Sequence, residues 1–121
     1  MPTRPEAVER LCQKGIIAVV RADSSEQLLE AAEALLAGGV DCIEITMTTP
    51  NALEVIARCR EALADKALVG VGSVLNAEMA REAISAGAQY VVCPIFDPAI
   101  IAAACSWRVV TRFISESRSA L

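Results

Sequence analysis

Short runs of β-branched residues recur along the chain, each followed by a polar start signal and then by apolar positions at helical spacing. The runs are GIIAVVR near 15–21, CIEIT at 42–46, ALVGVGS at 67–73 and YVVCP at 90–94. Their length and composition predict strands. Ser24 with Gln27 makes a capping-box pattern, Thr49 with Pro50 supplies an N-cap and a first-turn proline, Asn76 caps the third helix, and Asp97 with Pro98 opens the fourth. After Ser24, Leu28, Ala32, Leu35 and Leu36 fall on one stripe, with Glu26, Glu30 and Glu33 away from it. That helix is amphipathic and lies on something.

The helix ends repeat as well. AGGVDCIEI and SAGAQYVVC both place Gly after the last turn and a hydrophobic strand shortly beyond. Strand starts recur at about 26, 26 and 22 residues, the spacing of stacked βα units. Strands joined through one helix run parallel with right-handed crossovers, so the fold class is α/β. Within CIEIT, Ile43 and Ile45 face one side and Cys42, Glu44 and Thr46 the other. A central strand of a doubly wound sheet is apolar on both faces, whereas a barrel strand can turn a polar residue inward near its C-terminal end. The polar face favours a barrel.

Composition narrows the classes. The 121 residues are 55% hydrophobic and 21% charged with a net charge of −4, which fits one domain with a substantial core and leaves no basic footprint for nucleic acid. No apolar run approaches the roughly 18 residues that span a bilayer, and MPTRPEAVERLCQKG has no apolar signal core, so no membrane partner and a cytoplasmic location are expected. Cys12, Cys42, Cys59, Cys93 and Cys105 have no C-x-x-C spacing and sit among aliphatic residues. They read as buried free thiols, with neither a disulfide framework nor a metal site. There is no His, so acid-base chemistry falls to carboxylates, Lys, Tyr or Cys.

Arg21 closes the first strand, Glu44 and Thr46 sit late in the second, Thr48 lies just beyond it, and Ser73 ends the third. Each has a plain structural reading, Glu44 as an ion-pair partner of Arg21 among them, yet together they gather at the end of a parallel sheet where barrels place their catalytic groups. GVGSV at 70–74 lacks the spacing of a nucleotide loop. Its glycines read as making room inside the barrel.

With these residues in view, the chain resembles the N-terminal half of the 2-keto-3-deoxy-6-phosphogluconate (KDPG) and 4-hydroxy-2-oxoglutarate (KHG) aldolase family. The resemblance rests on GIIAVVRAD, LLAGGVDCIEITMTTP, VGVGSVLNAEMAREAISAGAQYVV and CPIFDPAIIAA, in that order over about residues 8 to 105. It implies the first half of a (β/α)8 TIM barrel, commonly a homotrimer, that cleaves 2-keto-4-hydroxy acids to pyruvate and an aldehyde through a lysine Schiff base without cofactor or metal. Glu44 then matches the acid-base carboxylate, Arg21 and Thr46 fall in the substrate-binding set, and Ser73 stands where many members have Thr near the pyruvate carboxylate. Thr48 stands where some members have Arg, so phosphosugar specificity does not carry over.

The family's Schiff-base lysine lies in a K-[LF]-F-P context beyond the fourth helix. Here the only lysines are Lys14 and Lys66, neither at that position, so no aldolase activity is expected of these residues alone. The expected organisation is a partial barrel over 1–105, stopping after about the fifth strand, with RVVT as the remaining strand candidate. A divergent tail follows over 106–121, attributed to a shifted reading frame near 105–107 that translation of the downstream DNA in other frames would test. Two other classes are weighed beside the aldolase: a different phosphate-binding barrel enzyme, and a non-catalytic fragment that associates with a full-length relative.

Overall fold

The computed structural model describes residues 3–107 and 109–113. In chain order the elements are α1 (Arg4–Lys14), β1 (Ala18–Val20), α2 (Ser25–Ala37), β2 (Cys42–Thr46), α3 (Ala52–Leu63), a single 3-10 turn (Ala64–Lys66), β3 (Leu68–Gly72), α4 (Ala77–Ala86), β4 (Tyr90–Cys93), α5 (Pro98–Ser106) and β5 (Val110–Phe113). The five strands form one sheet in the order β1-β2-β3-β4-β5, every pair parallel. A doubly wound sheet reverses its strand order at a switch point. This sheet keeps sequence order throughout, as does an arc of a (β/α)8 barrel.

The two faces of the sheet carry different chemistry. Ile43, Ile45, Val69, Val71 and Val91 point outward and pack with Leu28 and Ala32 of α2, Val55 and Ile56 of α3, Ala80 and Ala83 of α4, and Ile100 and Ala104 of α5. Burial of each large aliphatic chain there contributes about 1.5–3 kcal/mol. The inner face holds a smaller cluster of Cys42, Leu68, Tyr90 and Val92, closed from below by Ala7 and Leu11 of α1. Between β3 and β4 the buried Gln89 acts as a backbone substitute: its side-chain oxygen accepts from the Val69 N–H at 2.9 Å, while its own N–H donates to the Val69 carbonyl at 2.7 Å.

Several expectations are met at the level of single bonds. The Ser24 hydroxyl accepts from the Gln27 N–H, the Asn76 side chain from the Met79 N–H, and the Asp97 carboxylate from the Ala99 N–H. Others are corrected. Thr49 and Pro50 do not start α3: the N-cap is Asn51, with φ 54° and no side-chain cap bond, while the Thr49 N–H bonds back to the Thr46 carbonyl and closes a turn. Cys12 and Cys105 are exposed on the terminal helices α1 and α5, and only Cys42, Cys59 and Cys93, on β2, α3 and β4, are buried. The fifth strand is Val110–Phe113, two residues later than RVVT.

Helix α1 was not foreseen, although Thr3 and Glu6 carried its signal. The Glu6 carboxylate accepts from the Thr3 N–H at 2.6 Å and the Thr3 hydroxyl at 2.8 Å, with a proline in the first turn. Among the described residues no helix is long and apolar enough to cross a membrane. Of the tail expected to diverge over 106–121, residue 108 and residues 114–121 lie outside the described residues.

Candidate active site at the C-terminal ends of the strands

Glu44 projects from β2 onto the inner face, paired in register with Gly70 of β3 and Val19 of β1. Its side chain leans toward the C-terminal end of the sheet and lies over Gly72, where a Cβ would meet the carboxylate. The glycine is what gives the carboxylate its place. Glu44 is only 8% exposed, and burial raises its carboxyl above the usual range. Among the described residues no donor or cation is paired with it; the ion pair found there is Arg10–Asp41, at 3.6 Å, between α1 and the start of β2. The reading of Glu44 as a structural partner of Arg21 therefore fails.

Arg21 follows β1 and is exposed, as is Thr48 in the turn after β2. The two meet in a polar cavity of about 310 Å3 that Asp23, Gln27 and Thr49 help to line. Thr46, buried on the same face as Glu44, shares a hydroxyl hydrogen bond with Thr48 at 2.7 Å and a longer one with Thr49 at 3.5 Å. Hydroxyls thus run from the inner face out to the Arg21 cavity. Ser73 follows β3, half-buried, with φ 59°. A left-handed conformation is uncommon for a residue with a side chain, and strained backbone of this kind concentrates at functional sites. Arg21 and Thr48 share that cavity and Thr46 is tied to it through Thr48, whereas Glu44, earlier on β2, and Ser73, after β3, stand outside it.

Lys14 ends α1 ahead of β1, and Lys66 lies in the 3-10 turn ahead of β3. Both are exposed at the N-terminal ends of the strands, opposite Glu44, Arg21 and Ser73. One residue of the inner face escaped sequence reasoning. Tyr90, 1% exposed, lays its ring over Gly70 and donates its hydroxyl hydrogen bond to the Ile43 carbonyl at 2.7 Å. The available signal was the alternation in VGVG, which leaves two successive inner positions of β3 without side chains.

The family model for KDPG and KHG aldolase matches residues 8–112. The chain belongs to that aldolase family. Over 97 residues it is 43% identical to the 2-dehydro-3-deoxy-phosphogluconate aldolase of Treponema pallidum, a match covering 80% of this chain and 44% of that protein. The chain therefore spans less than half the length of this relative. Among solved structures, the 2-keto-3-deoxy-6-phosphogluconate aldolase of Zymomonas mobilis superposes with a TM-score of 0.73 at 31% identity, covering 84% of this chain and 48% of that one. The KDPG aldolase of Legionella pneumophila, with pyruvate captured as a covalent carbinolamine intermediate, has a TM-score of 0.73 at 27% identity and covers 78% and 46%. These likenesses, with the strand order, make the sheet the N-terminal part of an aldolase-type TIM barrel.

Proposed function

We propose that these residues form the proton-transfer and substrate-anchoring part of a lyase site that cleaves 2-keto-4-hydroxy acids to pyruvate and an aldehyde. The observation that carries the reading is Glu44, a buried carboxylate without a paired cation among the described residues, held over Gly72 toward the C-terminal end of a barrel sheet. The carbinolamine captured in the Legionella relative supports a covalent route.

In that route an amine adds to the keto carbon and water leaves. The resulting iminium draws in the electrons of the C3–C4 bond as the 4-hydroxyl proton is removed. Aldehyde departs, and the enamine hydrolyses to pyruvate. Glu44 is the group that takes the hydroxyl proton and moves protons during water loss. A carboxyl raised by burial holds its proton closer to neutral pH than an ordinary carboxylate does, which suits that work. Arg21 offers two parallel donors to an anionic group of the substrate, and Thr46 and Ser73 supply hydroxyls. Thr48 adds a neutral hydroxyl rather than a charge to the Arg21 cavity, so the remote end of the substrate is met without a second cation.

The amine is the part these residues do not supply, since Lys14 and Lys66 sit at the other end of the sheet. Incubating the 121-residue chain with pyruvate and borohydride, followed by mass measurement, is expected to give no stable pyruvyl adduct. Fusing residues 1–105 to the remaining barrel of the Treponema relative is expected to give one. An adduct on Lys14 or Lys66, or none in the fusion, counts against the reading.

We also infer that the chain self-associates. Among the described residues, β1 and β5 each have one strand neighbour in the sheet, and Val19 on the inner face of β1 is 53% exposed. Open edges and exposed interior favour pairing with another chain. Sedimentation velocity at micromolar concentration is expected to show a species larger than the monomer; a lone monomer boundary would remove this inference.

A further inference from the structure

We propose that Tyr90 is a positioning residue for Glu44, its ring forming the floor beneath the carboxylate and its hydroxyl anchoring the β2 backbone that carries it. This rests on the reading of Glu44 as the proton-transfer group and adds to the site a residue from β4, two strands away.

The argument begins with the two glycines of β3. Gly70 and Gly72 lie on the same inner face, one pleat repeat apart, which is about 7 Å along the strand. The Tyr90 ring covers Gly70, and the Glu44 carboxylate covers Gly72. The ring therefore lies one layer below the carboxylate. To reach the Ile43 carbonyl it crosses β3 entirely, and the 2.7 Å bond ends on the residue that precedes Glu44. Any other inner residue at position 70 would block that crossing.

Below the ring lies an apolar cavity of about 210 Å3 lined by Val8, Leu11, Cys12, Ile17 and Val92, with Tyr90 as part of its wall. Without the ring, that space would open toward Glu44, and water entering it would hydrate the carboxylate. Among the described residues, the chargeable groups on the elements around Glu44 are few. They are Arg21 at the end of β1, the Cys42 thiol on β2 itself and the Tyr90 hydroxyl on β4. The neighbouring positions of β3 are glycines, and Cys12 of α1 lies beyond the ring in the cavity wall. Burial holds Cys42 at about 11 and Tyr90 well above its ordinary value, so both stay neutral while Glu44 titrates. The ring's influence on Glu44 is thus exclusion of water rather than charge.

The test uses the 121-residue chain and needs no substrate, so it is independent of whether the aldolase reading holds. The side-chain carboxyl of Glu44 is followed by carbon NMR across pH, and β2 amide exchange is compared with that of β4. Tyr90→Phe keeps the ring and loses the anchor. Its Glu44 titration is expected to stay raised as in the parent, while β2 amides exchange about five- to tenfold faster relative to β4, the ratio that loss of one ordinary hydrogen bond gives. Tyr90→Leu removes the floor, and its Glu44 titration is expected to move down toward the ordinary carboxylate range. A merely structural tyrosine would lower stability in both variants without moving the titration. The proposal is overturned by a folded leucine variant that titrates like the parent. It is equally overturned by a phenylalanine variant that loses the raised titration or leaves β2 exchange unchanged. If the leucine variant does not fold, the phenylalanine result decides alone.

Discussion

Gly70→Ala is expected to lower the unfolding free energy by about 3 kcal/mol, an unusual outcome for the smallest possible addition to a strand. Gly70 is not among the glycines with positive φ, so alanine meets no backbone penalty there. Restricting the unfolded chain would by itself stabilise by about 0.4–1 kcal/mol. The opposing effect is steric. The new Cβ would fall among the ring atoms of Tyr90, and a buried ring between packed strands has no free direction in which to move. Overpacking of this kind costs about 1–3 kcal/mol, and a displaced ring also gives up its bond to the Ile43 carbonyl, worth about 1 kcal/mol. The steric effect wins. Urea unfolding of the two proteins measures the difference. A double-mutant cycle with Tyr90→Leu separates the cause, because the smaller side chain relieves the clash and the two changes then combine to less than their sum. Simple additivity would show that the ring is not what the alanine meets.

The same pair of residues shows where sequence reading stopped. Periodicity placed β2 at its observed bounds, and start signals at Ser24, Asn76 and Asp97 were matched by side-chain bonds. Such features are local: a cap acts within three residues and strand alternation within five. The inner face of the barrel was legible for Glu44 and Thr46 because alternation alone assigns them to it. What the alternation could not supply was Tyr90. That contact joins residues 43, 70 and 90 across three strands, and depends on register, on sheet curvature and on an absence of side chains. Thr49 and Pro50 failed for a related reason. Their residue types fit a helix start, but the hydrogen bond from the Thr49 N–H to the Thr46 carbonyl spends them on the turn. Cys42 and Cys93 are buried within the strands β2 and β4, and the burial of Cys59 against the exposure of Cys12 and Cys105 depends on how each helix sits in the fold. Aliphatic neighbours in sequence do not fix that.

Glu44→Gln is expected to make the protein more stable at neutral pH while abolishing the chemistry assigned to it. Burial raises the folded-state carboxyl above its unfolded value, so the folded state holds this proton more tightly than the unfolded chain does. The stabilisation from that proton is fully present below the unfolded value, about 4.3. It is lost as pH rises through the folded value. Glutamine has nearly the same shape and no such titration. Melting temperatures of parent and variant, followed from about pH 3 to pH 8, should therefore converge at the acid end and separate above it, the variant melting higher. Curves that run parallel would mean that the carboxylate is not held in the folded state against its own hydration. In the fusion with the Treponema barrel, where the proposed route is tested, the amide can neither take the 4-hydroxyl proton nor return one during water loss. Turnover should fall by about 10²–10⁴-fold, the usual contribution of a positioned acid-base group. A gain in stability with a loss of turnover would identify Glu44 as a residue kept for its chemistry against the preference of the fold. Retained turnover in the glutamine variant would instead assign the proton to another group and leave the buried carboxylate without a role in the reaction.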